Sequence, residues 1–141
     1  MYRVLIAEDE RLVAFVLRKQ LEAQGHQVVG IAGNGVEATA LCRTQAPDVV
    51  LMDIQMPELD GIAATRRIMQ DSPTCVVIVS ANGSQAMIAR AEQAGAMAYL
   101  VKPVSDRQLK EALPQARSRF LAWRRAQPPD DNSGEQSPSD S

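Results

Sequence analysis

No apolar run in this chain of 141 residues approaches the roughly 20 needed to cross a bilayer, and Met1 to Ala7 carries no signal-peptide pattern. A cytoplasmic protein without a membrane association is therefore expected. Cysteine is scarce. Cys42 and Cys75 lie inside apolar segments with neither paired nor metal-type spacing, which argues for buried free thiols and against a disulfide or a zinc site. Lysine and arginine are missing altogether from residues 127–141, which hold Asp130, Asp131, Glu135 and Asp140. Taking those four from the 17 acids leaves 13 against 15 bases, so residues 1–126 carry about +2. That is too little for nucleic-acid binding through bulk electrostatics, and direct nucleic-acid binding is not expected. The stretch PPDDNSGEQSPSDS also lacks any large apolar residue and cannot offset the entropy of ordering, so residues 127–141 read as a disordered acidic polar tail.

Apolar runs recur at Val4–Ala7, Val28–Ala32, Val49–Met52, Val76–Val79 and Met97–Val101, which predicts five buried strands. Between them lie segments of helical period, such as Leu12, Val13, Val16, Leu17 and Leu21, or Ile62, Ile68 and Met69. Short apolar strands alternating with helices imply parallel pairing through right-handed crossovers, hence an α/β doubly wound sheet covered on both faces. Gly25, Pro47 and Gly95 punctuate helix ends, and Asn34 and Gly35 precede a helix. The last helix is expected to begin on Ser105 as N-cap and to be kinked or locally widened at Pro114. Arg117, Arg119, Arg124 and Arg125 near its end read as a solvated face favoured by the helix dipole, with a surface for RNA or an acidic partner as the alternative.

Ligands of a parallel sheet sit beyond the carboxyl ends of its strands, and the polar residues concentrate there. Strand one runs into Glu8, Asp9 and Glu10, strand three ends on Asp53, strand four on Ser80, and strand five leads to Lys102 and Pro103. Singly, each has a plainer reading, since an acid after a strand often caps a helix and Lys-Pro often makes a turn. Jointly they converge on one pocket. Clustered carboxylates repel and need a cation to coexist, and carboxylate oxygens suit Mg²⁺. Lys102 adds a compact positive charge and Ser80 a hydroxyl, so the pocket suits a phosphoryl group, with Asp53 as the nucleophile that would carry it. A nucleotide or flavin binder would need a glycine-rich or hydroxyl-rich loop after strand one, where EDERL stands. An aspartyl-phosphate hydrolase of the dehalogenase type would want a second acid two residues after the nucleophile, where Gln55 stands.

The motifs VLIAEDE, VVLMDIQMPELDG, VVIVSA and GAMAYLVKP, in that order, make roughly residues 2 to 121 resemble the receiver family of two-component response regulators. The resemblance implies a flavodoxin-like five-stranded parallel sheet of order 2-1-3-4-5 with helices on both faces, formed by residues 1–126. It also implies Asp53 as phosphoacceptor and Mg²⁺ held by Asp9, Asp53 and the backbone carbonyl of Gln55, with Glu8 acting mainly through water. Ser80, Tyr99 and Lys102 would form the phosphoryl-binding switch, Lys102–Pro103 would be a cis bond, and Gln55 and Asn82 would tune the phosphoryl lifetime. The implied role is a signalling switch and not an enzyme, with a sensor histidine kinase or phosphotransfer protein as donor. A homodimer through the fourth helix, fifth strand and last helix, with Trp123 at or near the contact, is the expected association. The stretch ARAEQAGAMAYLVKPVSDRQL resembles receivers that carry an RNA-binding antitermination module of the ANTAR type, and no such module is legible after Trp123. The receiver part of such a regulator and an unphosphorylated scaffold are the alternative readings.

Overall fold

The computed structural model describes residues 1–128, so the acidic segment read as a tail lies, from residue 129 on, outside the described residues. Strands and helices alternate as β1 (Arg3–Ala7), α1 (Arg11–Ala23), β2 (Gln27–Ala32), α2 (Gly35–Gln45), β3 (Val49–Met52), α3 (Gly61–Asp71), β4 (Cys75–Ser80), α4 (Gln85–Ala94), β5 (Ala98–Val101) and α5 (Asp106–Ala126). The strands form one parallel sheet in the order β2-β1-β3-β4-β5, as the resemblance implied.

Side-chain alternation along the strands builds two cores. Leu5, Ala7, Val50, Met52, Val76 and Ile78 point to one face, where α2, α3 and α4 bring Ala38, Ile62, Ile68 and Ala91. Val4, Ile6, Leu51, Val77 and Val79 point to the other, against Leu17 and Leu21 of α1 and Leu109, Leu113 and Phe120 of α5. Burying each of the larger side chains contributes about 1.5–3 kcal/mol, which is why the central strands read as unbroken apolar runs. Cys42 and Cys75 belong to opposite faces, and burial pushes both thiols up to about 12, consistent with inert free thiols.

Three sequence expectations need correction. All five strands read as buried, but β2 and β5 are edges and are largely half-exposed, with Ile31 and Val101 each 41% exposed. Of the apolar period in α1, only Leu17 and Leu21 are buried, whereas Leu12 and Val16 face outward, because the sheet and α5 cover a stripe narrower than the apolar face. Arg124 and Arg125 of α5 are exposed as expected, but Arg117 and Arg119 do more than form a solvated face. Arg117 donates to the carbonyl of Asp48 (2.9 Å) and Arg119 to that of Met97 (3.0 Å), fastening the helix to the loops that enter β3 and β5. Helix ends follow the sequence punctuation. Asn34 caps α2, Ser105 and Gln108 close a capping box on α5, and Gly25 and Gly95 take φ of +88° and +112° after their helices. α5 runs unbroken through Pro114.

His26 is the single histidine, and its Nδ1 accepts the Tyr2 N–H (3.0 Å) while the two rings stack at 5.4 Å. Burial, then the nearby N-terminal charge, lowers its pKa from 6.5. A lowered base favours the folded state fully above the unfolded pKa, and that stability is lost as pH falls through 6.5 toward the folded value. Thermal denaturation between pH 7 and pH 5 should therefore show wild type losing stability more steeply than His26→Gln. Parallel curves would mean that His26 is not linked to folding.

Candidate functional site

The carboxyl ends of β1, β3, β4 and β5 meet at one rim of the sheet. Ladder bonds run past the last strand residues, with Asp53 N–H donating to Ala7 O (2.9 Å), Glu8 N–H to Ala32 O (2.9 Å) and Lys102 N–H to Ser80 O (2.9 Å). Each polar side chain is thus placed by backbone that the sheet itself holds. Glu8, Asp53 and Ser80 are buried, whereas Asp9 is exposed.

Glu8, Asp9 and Asp53 each offer a carboxylate oxygen, and the three atoms lie within 4.8 Å of one another. Lys102 Nζ is 2.7 Å from Glu8 Oε1 and 3.5 Å from Asp53 Oδ2. Glu8 uses its second oxygen to accept the Glu10 N–H (3.1 Å). Burial first, and then the charge of Glu8, raises Asp53 from 3.8 to about 6, with Lys102 and the Ile54 N–H pulling the other way. For Lys102, burial would lower the pKa, but the Glu8 hydrogen bond and the charges of Asp53 and Glu8 outweigh it and raise it. One lysine thus fails to neutralise the buried carboxylates. An all-oxygen cluster short of positive charge is the donor set that Mg²⁺ takes, so the residues present fit that ion.

The remaining sequence-predicted residues gather at the same rim. Ser80 Oγ accepts the Asn82 N–H (3.1 Å), Asn82 Oδ1 accepts the Ser84 N–H (2.9 Å), and the Tyr99 hydroxyl donates to the Asn82 carbonyl. Tyr99 is half-buried against the α2–α3–α4 core, and Gln55 is exposed in the loop after Asp53. Lys102–Pro103 is cis, as the resemblance implied.

Some features escaped sequence reading. Gly61 N–H donates to Ile54 O (2.8 Å), and a Cβ on Gly61 would stand 2.0 Å from the Asp53 carbonyl. A Cβ on Gly35 would stand 2.2 Å from Leu59 O. Both glycines therefore let helices close onto the loop that follows Asp53, and their spacing alone did not show it. Nor did the sequence show the groove of about 460 Å³ beside Lys102, lined by Leu12, Val13, Val16, Pro103 and Val104.

Residues 4–114 match the model of the response regulator receiver domain. The chain belongs to that family. It is 45% identical over 118 residues to the transcriptional regulatory protein PdtaR of Mycobacterium tuberculosis, covering 84% of this chain and 58% of the relative's length. It is 42% identical over 112 residues to the chemotaxis protein CheY of Thermotoga maritima, covering 79% and 93% respectively. Among solved structures, the complex of CheX and CheY with BeF₃ and Mg²⁺ from Borrelia burgdorferi superposes with a TM-score of 0.75 at 28% identity, covering 84% of this chain and 89% of that one. This receiver is a signalling module from a family that is not catalytic, and receivers generally bind Mg²⁺ at an acidic cluster of this kind. No helix of the described residues is long and apolar enough to cross a membrane.

An acid raised above its unfolded pKa favours the folded state only when protonated, and that contribution is lost as pH rises from 3.8 through about 6. In chelator at pH 7, Asp53→Asn should accordingly be more stable than wild type by roughly 1–2 kcal/mol. Denaturant melts should show the gap closing below pH 4. A variant less stable than wild type at pH 7 would show that the Lys102 contact outweighs the repulsion.

Proposed function

We propose that this receiver is switched by phosphorylation of Asp53, taking the phosphoryl group from a histidine on a sensor kinase or phosphotransfer protein. The observation that carries this reading is the single lysine set between two buried acids, with a third carboxylate within ligand range. An Asp53 oxygen attacks phosphorus, the donor's N–P bond breaks, and the imidazole nitrogen keeps the electron pair. Asp9, Asp53 and the backbone carbonyl of Gln55 would hold Mg²⁺, which supplies positive charge to the phosphoryl oxygens. Lys102 leaves Glu8 to pair with one of those oxygens, and Glu8 holds it ready until then. Ser80 turns to donate its O–H to a phosphoryl oxygen and gives up the N–H it accepts from Asn82, which frees the loop that Tyr99 now grips. Differential contacts of Ser80 and Lys102 with the phosphorylated state then shift the population toward the active form. Gln55 and Asn82, at the mouth of the site, set how readily water reaches the phosphoryl group. The neighbouring CheY complex, which carries BeF₃ and Mg²⁺, supports this assignment.

The apolar groove and the exposed Leu12, Phe15 and Val16 give a donor protein a surface beside Lys102, whose Nζ is 3.5 Å from Asp53 Oδ2. Output runs through α4, β5 and α5, because Ser80, Tyr99 and Lys102 adjoin those elements, and association through this face as a homodimer follows from it. Trp123 stacks on Phe120 with ring centroids 5.9 Å apart, so it covers the end of the core as well as bordering that face.

A small phosphodonor with Mg²⁺ should add one phosphoryl group by intact mass, and chelator or Asp53→Asn should abolish it. Labelling of Asp53→Asn to the wild-type extent would remove the proposal. Light scattering should show mass rising toward a dimer on addition of a phosphoryl mimic, and a monomer in both states at high micromolar concentration would point to a separate partner.

A further inference from the structure

At the amino ends of β3 and β4, opposite Asp53, lies a pocket of about 370 Å³ whose walls include Arg43 of α2, Arg117, Phe120 and Arg124 of α5, and Asp48 and Thr74, which lead into the two strands. Phe120 follows Arg117 by three residues and precedes Arg124 by four, the spacing that sets side chains in one row along a helix. Both guanidinium groups accordingly lie over its ring, at 5.7 and 5.8 Å from the centroid. Among the described residues, none of the three arginines forms an ion pair with a carboxylate. Three guanidinium groups against the single carboxylate of Asp48 leave the pocket at +2.

Acceptors in the wall are already engaged. Asp48 Oδ2 accepts the Arg3 N–H (2.8 Å), and the Asp48 carbonyl accepts from Arg117 (2.9 Å). The Ala46 carbonyl accepts from the Arg3 guanidinium (2.9 Å), and the Ser72 carbonyl accepts from the Thr74 hydroxyl (2.8 Å). What the pocket offers is therefore donors: the forks of Arg43 and Arg124, both exposed, and the remaining N–H groups of the half-buried Arg117.

We propose that this pocket binds a small phosphate monoester. Such a group carries about −1.5 to −2 at neutral pH on three strongly accepting oxygens, which matches an excess of +2 presented as guanidinium forks. The volume lies toward the lower end of the roughly 300–1,000 Å³ of small-ligand clefts, so the ester group is small. Once bound, the anion bridges Arg43 of one helical layer to Arg117 and Arg124 of the other and ties α2 to α5 across the amino ends of the strands. The site lies at the far end of the sheet from Asp53, so this inference stands apart from the phosphorylation reading.

The test titrates methyl phosphate into the full chain in chelator at about pH 7.5, where the ester is mostly dianionic, with chloride holding the ionic strength constant. Side-chain ¹⁵N resonances of Arg43, Arg117 and Arg124 should shift together and saturate, while those of Arg66, Arg67 and Arg90 stay. Arg43→Gln and Arg124→Gln, which change exposed side chains, should each raise the Kd about tenfold or more, the loss of one charge-assisted pair. Dimethyl phosphate, with a single negative charge, should bind at least about tenfold more weakly than methyl phosphate. Shifts that grow without saturating, an unchanged Kd in either variant, or an equal response to the diester would overturn the site. A short single-stranded RNA that moves the three arginines at lower concentration than methyl phosphate would overturn the small-ligand assignment in favour of a nucleic-acid surface.

Discussion

The structure turns on one imbalance of charge. Glu8 and Asp53 are carried into the rim of the sheet by the same parallel pairing that buries β1 and β3, so two acids come to share a poorly solvated space. Lys102 arrives from the end of β5 and sits closer to Glu8 than to Asp53. Were the lysine midway, Asp53 would be quieted by its partner. As it stands Asp53 is the less satisfied acid, its pKa raised to about 6 by burial and by Glu8. A buried charge that lacks a full partner costs stability and remains open to new contacts, which is the condition a switch requires.

The scaffold keeps that imbalance in place through contacts made to loop backbone. The β3–α3 loop is held by Gly61 N–H on Ile54 O and by Gly35 N–H on Leu59 O, two contacts that leave no room for a Cβ. Asp60 caps α3 by accepting the N–H groups of Ile62 and Ala63 (2.8 and 2.9 Å), so the helix starts directly at the end of the loop after Asp53. On the far side, the Tyr99 hydroxyl and Ser80 Oγ both hold the Asn82 backbone. The loop after β4 is therefore gripped by the two residues that we propose respond to phosphorylation of Asp53.

The two ends of the strands carry opposite charge. Carboxylates gather at the carboxyl ends and arginines at the amino ends, where they bind the carbonyls of Asp48 and Met97. Because a parallel sheet aligns every strand the same way, residues that enter strands and residues that leave them are sorted to separate rims.

The alternation of short apolar runs with helical periods determined the doubly wound fold, and the residues ending four of the runs named the site, because parallel pairing sends all strand ends to one rim. Asp53, Glu8, Asp9, Ser80 and Lys102 were all legible for that reason. The receiver motifs extended this to strand order and to the cis bond at Pro103, both present in the structure. Only the tertiary structure decided which acid Lys102 favours, since a difference between 2.7 and 3.5 Å depends on side-chain length and packing. It also decided that β2 and β5 are half-exposed edges, that Leu12 and Val16 face outward, and that Arg117 and Arg119 of α5 are fastened to loops. Each of these depends on what lies across a layer from the residue. A linear pattern records the period of an element, but its neighbours are set by contacts between positions far apart in the chain.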